Sequence, residues 1–107
     1  MQKIFLYDSV NNRVELNVPE ILLVREFGAL MDNKRNITPK DKKGEHGERA
    51  FKEFKYIWLA LDWLSPYSDY AEQERHQQAL KDSGLTEDEF NDPIFRAACR
   101  KYRALQE

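Results

Sequence analysis

The sequence has one cysteine, Cys99, which excludes an internal disulfide and suits a reducing compartment. It has two histidines, His46 and His76, far apart in sequence. With one cysteine they do not resemble a zinc spacing, since metal sites need three or four ligands. The four glycines form no phosphate-binding loop pattern. No apolar run approaches the ~20 residues needed to cross a bilayer. The opening stretch MQKIFLYDSV holds one lysine, a very short apolar run and no small-residue cleavage site, unlike a secretory signal. No internal repeat is visible.

At 107 residues the chain has the size of one domain with one modest core. Hydrophobic residues are 41% and charged residues 34%, so the core is lean and some apolar surface is expected to be shared with a partner. The net charge of -2 hides blocks: residues 1–32 carry -2, 33–60 carry +4, 61–92 carry -7 and 93–107 carry +3. Blocks of this kind pair within a fold or with neighbouring chains.

The most apolar stretch runs from Arg49 to Leu64 (RAFKEFKYIWLALDWL). Ala50, Phe51, Phe54, Ile57, Trp58, Leu61 and Leu64 recur at helical steps, while Tyr56, Leu59, Ala60 and Trp63 fall off that stripe. Such a helix needs cover on several sides. It is expected to be the central helix of the fold.

Before it, Lys3 to Tyr7 is β-prone, Asp8 to Asn12 carries turn residues, and Val14, Leu16 and Val18 alternate with polar positions. This predicts a β-hairpin over 1–18. Pro19 and Glu20 fit a helix start, and Leu23, Val24, Phe27, Leu30 and Met31 make one apolar face, predicting a helix over 19–32. Residues 33–47, with Pro39, Gly44, Gly47 and a basic run of Lys34, Arg35, Lys40, Lys42 and Lys43, predict a long basic surface loop.

After the central helix, Pro66 is the expected stop and Tyr67 and Tyr70 are placed to fold back on Trp63. The polar stretch 71–83 predicts a surface or bridging helix with Ala79 and Leu80 inward, Gly84 as its cap and Leu85 following. Thr86 to Glu89 has capping-box spacing, and Asp92-Pro93 begins a last helix lined by Ile94, Phe95, Ala98, Tyr102 and Leu105. The expected fold is mainly α (α+β): an N-terminal hairpin on a small bundle of four to five helices, residues 48–107, within a single domain 1–107.

Asp62 lies among apolar neighbours, and a carboxyl with a raised pKa can serve as a general acid. The plainer reading is a solvent-facing acid or one paired with a C-terminal arginine, and no nearby sequence supplies a nucleophile or metal ligand. His46 and His76 read as surface histidines, and Cys99 as an inert, partly buried thiol. Lys34, Arg35, Lys40, Lys42 and Lys43 read first as a solvated loop, and second as a contact for phosphate or an acidic partner. No aromatic residue is interleaved to stack bases. Arg96, Arg100 and Arg103 complement a helix C-terminus and the acidic block, ahead of any role on nucleic acid. These eight cations are the expected partner-binding residues. No catalytic residue, metal or cofactor is expected, and the chain does not read as an enzyme.

The segments PEILLVREFGAL, RAFKEFKYIWLALDWLSPYSDY and RHQQALKDSGLTEDEF resemble a group of small proteins of tailed bacteriophages encoded near virion genes. The resemblance covers most of the chain but contains no catalytic signature. It implies a virion component at the head–tail junction, tail or baseplate, found in the virion and in host cytoplasm during assembly. The charge blocks point to other structural subunits as partners in a homo- or hetero-oligomer, and no membrane association is expected. The alternative is a small soluble regulator that binds nucleic acid or a host protein.

Overall fold

The computed structural model describes residues 5–8, 10, 13–16 and 24–106. The element order is a two-stranded antiparallel ribbon followed by helices. Strand β1 (Phe5–Asp8) pairs with β2 (Arg13–Leu16), Phe5 opposite Leu16 and Tyr7 opposite Val14. Alternation puts Phe5 and Val14 on one face, where both are buried, while Leu6 points to solvent. A two-stranded ribbon is marginal alone and needs a surface to lie on. Phe5 supplies the attachment, its ring 5.9 Å from Phe54 and 5.3 Å from Tyr102.

Helix α1 (Arg25–Gly28) continues as a tighter 3-10 turn over Ala29–Met31. Asp32 then leaves helical geometry. The expected turn at 11–12, Val18 and the helix start at Pro19 lie outside the described residues. Phe27 and Leu30 are fully buried, as the apolar face predicted, and Phe27 meets Tyr102 edge-on at 6.4 Å.

Residues 33–47 are more ordered than a solvated loop. Asn33–Asn36 forms a 3-10 turn capped by Asp32, whose side chain accepts from the Lys34 N–H at 3.0 Å. The Asn36 side chain is wholly buried and satisfied on both ends. Its Nδ2 donates to the Leu30 and Asp32 carbonyls, and its Oδ1 accepts from the Ala50 N–H at 2.8 Å. Buried Asp41 accepts from the Glu45 and His46 N–H groups. Gly44 sits at φ +69°, and a Cβ there would fall 1.9 Å from the Asn33 carbonyl oxygen, so only glycine fits.

Helix α2 (Glu48–Leu61) is central as expected, with Ala50, Phe54 and Ile57 fully buried or nearly so and Trp58 and Leu59 close behind. It ends three residues earlier than the apolar run suggests. Asp62 is extended, and its Oδ1 accepts from the Leu64 N–H at 2.7 Å. The Ser65 hydroxyl donates to the Leu59 carbonyl at 2.6 Å and meets one of the carbonyls a helix end leaves open. Trp63 and Leu64 are therefore carried out of the helix and exposed at 66% and 73%, where the sequence pattern had placed Leu64 on the buried stripe.

Helix α3 (Glu72–Ser83) packs on α2 through Ala79 and Leu80 and stops at Gly84, φ +77°, with Leu85 buried behind it. Helix α4 (Glu87–Phe90) opens on the complete Thr86–Glu89 capping box. Helix α5 (Pro93–Gln106) starts behind Asp92, whose Oδ1 accepts from the Ile94 N–H. Phe95, Ala98, Cys99 and Tyr102 face the core, but Ile94 is exposed rather than inward. The result is the mainly helical bundle expected, with the hairpin laid across α2 and α5.

Candidate binding cleft

Arg35, expected among the outward-facing cations, turns inward. The chain folds it inward from the 3-10 turn, onto Glu53 of α2 and Asp92 before α5. Its two terminal nitrogens donate to the two Glu53 oxygens at 3.1 and 2.9 Å, and one also reaches Asp92 at 2.7 Å. Arg49 bonds Asp92 at 2.9 Å, and Lys52 bonds Glu89 at 3.1 Å. Burial is the largest influence on Glu53 and raises its carboxyl pKa against the opposing pull of Arg35. Burial also works to lower Arg35, but its bonds to Glu53 and Asp92 together outweigh that and leave it raised. This network ties the 33–36 turn to α2 and to the start of α5.

The other expected cations are exposed. Lys34, Lys40, Lys42 and Lys43 stand out from the ordered 33–47 segment, and Arg96, Arg100 and Arg103 from α5. Arg96 and Arg103 share one further feature, since both line a cleft of about 740 Å³ between the end of α2, the start of α3, α4 and α5.

The cleft floor is Tyr56, which the sequence showed only as a residue off the buried stripe. Tyr56 and Ala60, four positions apart on α2, share a face, and Trp63, in the turn beyond the helix, lines the cleft with them. Tyr56 is buried, and its hydroxyl lies 2.7 Å from His76 Nδ1. Burial raises the Tyr56 pKa, so the hydroxyl keeps its proton. The hydroxyl and Nδ1 share one hydrogen bond, and His76 Nε2 lies 3.8 Å from Glu87 Oε1. His76 is thus a half-buried wall residue and not the free surface histidine expected; His46 is exposed.

Phe90 of α4 closes the wall. The Arg96 guanidinium sits 4.5 Å above its ring, and the His76 ring lies 4.5 Å away. Tyr70 lies at the edge and is stacked on Tyr67 at 4.9 Å, and Tyr67 donates its hydroxyl to Asp82. That bond is the leading cause of a lowered Asp82 pKa. Tyr67 and Tyr70 therefore engage each other and α3, where the sequence had them folding back on Trp63.

The rim at Trp63 is fixed from beneath by buried polar groups. The Trp63 N–H donates to Gln106 Oε1 at 3.0 Å, and Gln106 Nε2 donates to the Leu61 carbonyl at 2.8 Å. Arg75 donates to the Leu59 and Asp62 carbonyls at 2.9 and 2.7 Å. Burial lowers the Arg75 pKa, with Asp62 opposing. The Asp62 side chain is buried and receives the Tyr102 hydroxyl, not a C-terminal arginine. It acts as the anchor of this turn. Tyr102 is raised by burial and by that bond.

Cys99 is buried and its thiol is pushed up to about 12 by burial. Among the described residues no group of three or more His, Cys, Asp or Glu side chains is placed to hold a metal ion, and no helix is long and apolar enough to cross a membrane. Comparison with protein families, with curated proteins and with solved structures returns no match.

Proposed function

We propose that the chain is a binding and assembly subunit of a multisubunit particle, and that its docking surface is centred on the Trp63–Leu64 turn. The observation that carries this reading is the contrast at that turn. Its backbone is tied down by Gln106, Asp62, Arg75 and Ser65, while its two large apolar side chains stand in solvent. Exposed apolar groups on a fixed backbone lose little conformational freedom on docking, and an aromatic anchor of this kind is what interface hot spots use. The exposed lysines of 33–47 and arginines of α5 then steer approach and set orientation, since rim charges act on association more than on affinity.

The reading is of a binder and not a catalyst. Tyr56 and Cys99, two groups that covalent chemistry would draw on, are held protonated by burial. Asp62 is committed to the turn after α2, accepting from the Leu64 N–H and the Tyr102 hydroxyl. The sequence resemblance to small phage proteins supports a tailed-phage virion as the particle, with assembly in the host cytoplasm. Mass spectrometry of purified particles from the chain's source tests this: the proposal expects the chain at a fixed ratio to the known structural subunits. Its presence only in the soluble fraction would favour the second reading, a soluble regulator using Lys34, Lys40, Lys42, Lys43 and Arg100 on nucleic acid or a host protein.

A further inference from the structure

The cleft beside the Trp63–Leu64 turn has a chemistry of its own. Three arginines line it, Arg75, Arg96 and Arg103, against one carboxylate, Glu72. Among the described residues no carboxylate lies within ion-pair distance of Arg96 or Arg103, and Arg75 spends its donors on backbone carbonyls. Arg96 and Arg103 are seven positions apart on α5, so both project from the same helix face. Between them and Trp63 lies a floor of Tyr56, Ala60 and Leu61. The volume, about 740 Å³, accommodates a few side chains or one medium-sized ligand.

We infer that this cleft receives an acidic peptide segment of a partner protein, with a large apolar side chain laid against Trp63 and Leu61 and carboxylates on Arg96 and Arg103. The inference rests on the assembly reading and names the partner's chemistry. Charge complementarity calls for an anion, and the state of the rings decides which kind. Nucleic acid held in such a site stacks bases on successive open aromatic faces. Here the Phe90 ring carries the Arg96 guanidinium and the His76 ring, and Tyr70 is stacked on Tyr67. Among the described residues Trp63 alone offers a large exposed ring with no aromatic neighbour. One open indole beside paired arginines fits one apolar anchor flanked by carboxylates. A carboxylate on each arginine forms the planar bidentate pair that guanidinium groups favour.

The test pans a random peptide library against the full chain and measures binding of the selected peptides by the change in Trp63 fluorescence, with Trp63→Phe as the control that removes the signal. Oligothymidylate is titrated in parallel. The expected result is enrichment of aspartate and glutamate around an aromatic or aliphatic residue. Binding should weaken at least tenfold in Arg96→Glu/Arg103→Glu, whose sites are exposed and which should stay folded at the assay temperature despite losing the Arg96–Phe90 contact, and should weaken with added salt. Selected peptides without acidic enrichment, binding indifferent to the double charge reversal, or oligothymidylate binding more tightly than any peptide would each overturn the inference. If peptides ignore the cleft while particles still contain the chain, only the cleft assignment fails and the assembly reading stands.

Discussion

Arg35 and Glu53 stand eighteen positions apart in sequence and meet as a two-bonded ion pair, at 3.1 and 2.9 Å, with the Glu53 side chain wholly removed from solvent. A buried carboxylate is tolerated only while its partner stays. Arg35→Ala is therefore expected to cost up to about 3–5 kcal/mol, because it takes both hydrogen bonds from Glu53 and leaves it only the Arg49 Nε, 3.6 Å away. Arg35→Met combined with Glu53→Leu should cost much less, since no charge is left buried. Urea denaturation of the three proteins measures both, and equal losses for the single and double changes would show that the pair contributes through packing and not charge.

Stability should fall in acid. Asp92 and Glu89 are both held below the ordinary carboxylate range. In each, burial pulls upward but is outweighed, by Arg35 and the Ile94 N–H at Asp92, and by Thr86 and Lys52 at Glu89. A carboxyl depressed in the folded state contributes its full stabilisation above its unfolded pKa, about 4, and loses it as pH falls through the folded value. Glu53 works in the opposite sense. Burial raises it, so its contribution declines as pH rises through that raised value. Urea midpoints measured through the acid range should drop below about pH 4. The slope should flatten in Asp92→Asn, and an unchanged slope would remove Asp92 from the account.

Tyr102 holds the end of α2 from forty positions away. Tyr102→Phe keeps the ring against Phe5 and Phe27 but deletes the hydroxyl donated to Asp62. A lost hydrogen bond to a charged group costs about 1.5–3 kcal/mol. The same change should loosen the turn, so in a Trp58→Phe background, where Trp63 is the one tryptophan, its fluorescence anisotropy should decrease at temperatures where the fold persists. Lower stability with unaltered anisotropy would mean that Asp62 stabilises the core without fixing the turn.

Cys99 should behave as a core residue. Its thiol is buried and pushed up to about 12, so almost no thiolate is present near neutral pH. Native protein should react with a thiol reagent only at the rate of unfolding, and 2 M urea should accelerate labelling in step with the unfolded fraction. Immediate labelling of native protein would place Cys99 at the surface.

Local signals in the sequence carried over well. The Val14 alternation, the Phe54–Ile57–Trp58 stripe, Gly84, the Thr86–Glu89 box and the Asp92-Pro93 start each depend on neighbours a few positions away. The misplacements share one cause, which is distance along the chain. Arg35 looked like one more loop cation because Glu53 and Asp92, eighteen and fifty-seven positions away, define its role. Leu64 looked like core because Asp62 and Ser65 end the helix with help from Tyr102 and Arg75. The cleft left one trace: Tyr56, Ala60 and Trp63 at helical spacing, off the buried stripe, and Arg96 and Arg103 seven apart. What local pattern did not supply is that α2 and α5 bring those two faces together.

The central claim is that Trp63 and Leu64 are anchors for a partner and not for the fold, and the incorporation of Trp63→Ala/Leu64→Ala into particles tests it most directly. Both side chains are mostly exposed, so the double variant should fold and melt within a few degrees of wild type. It should nevertheless be missing from purified particles that contain the wild-type chain. A variant that enters particles at the wild-type level would contradict the account.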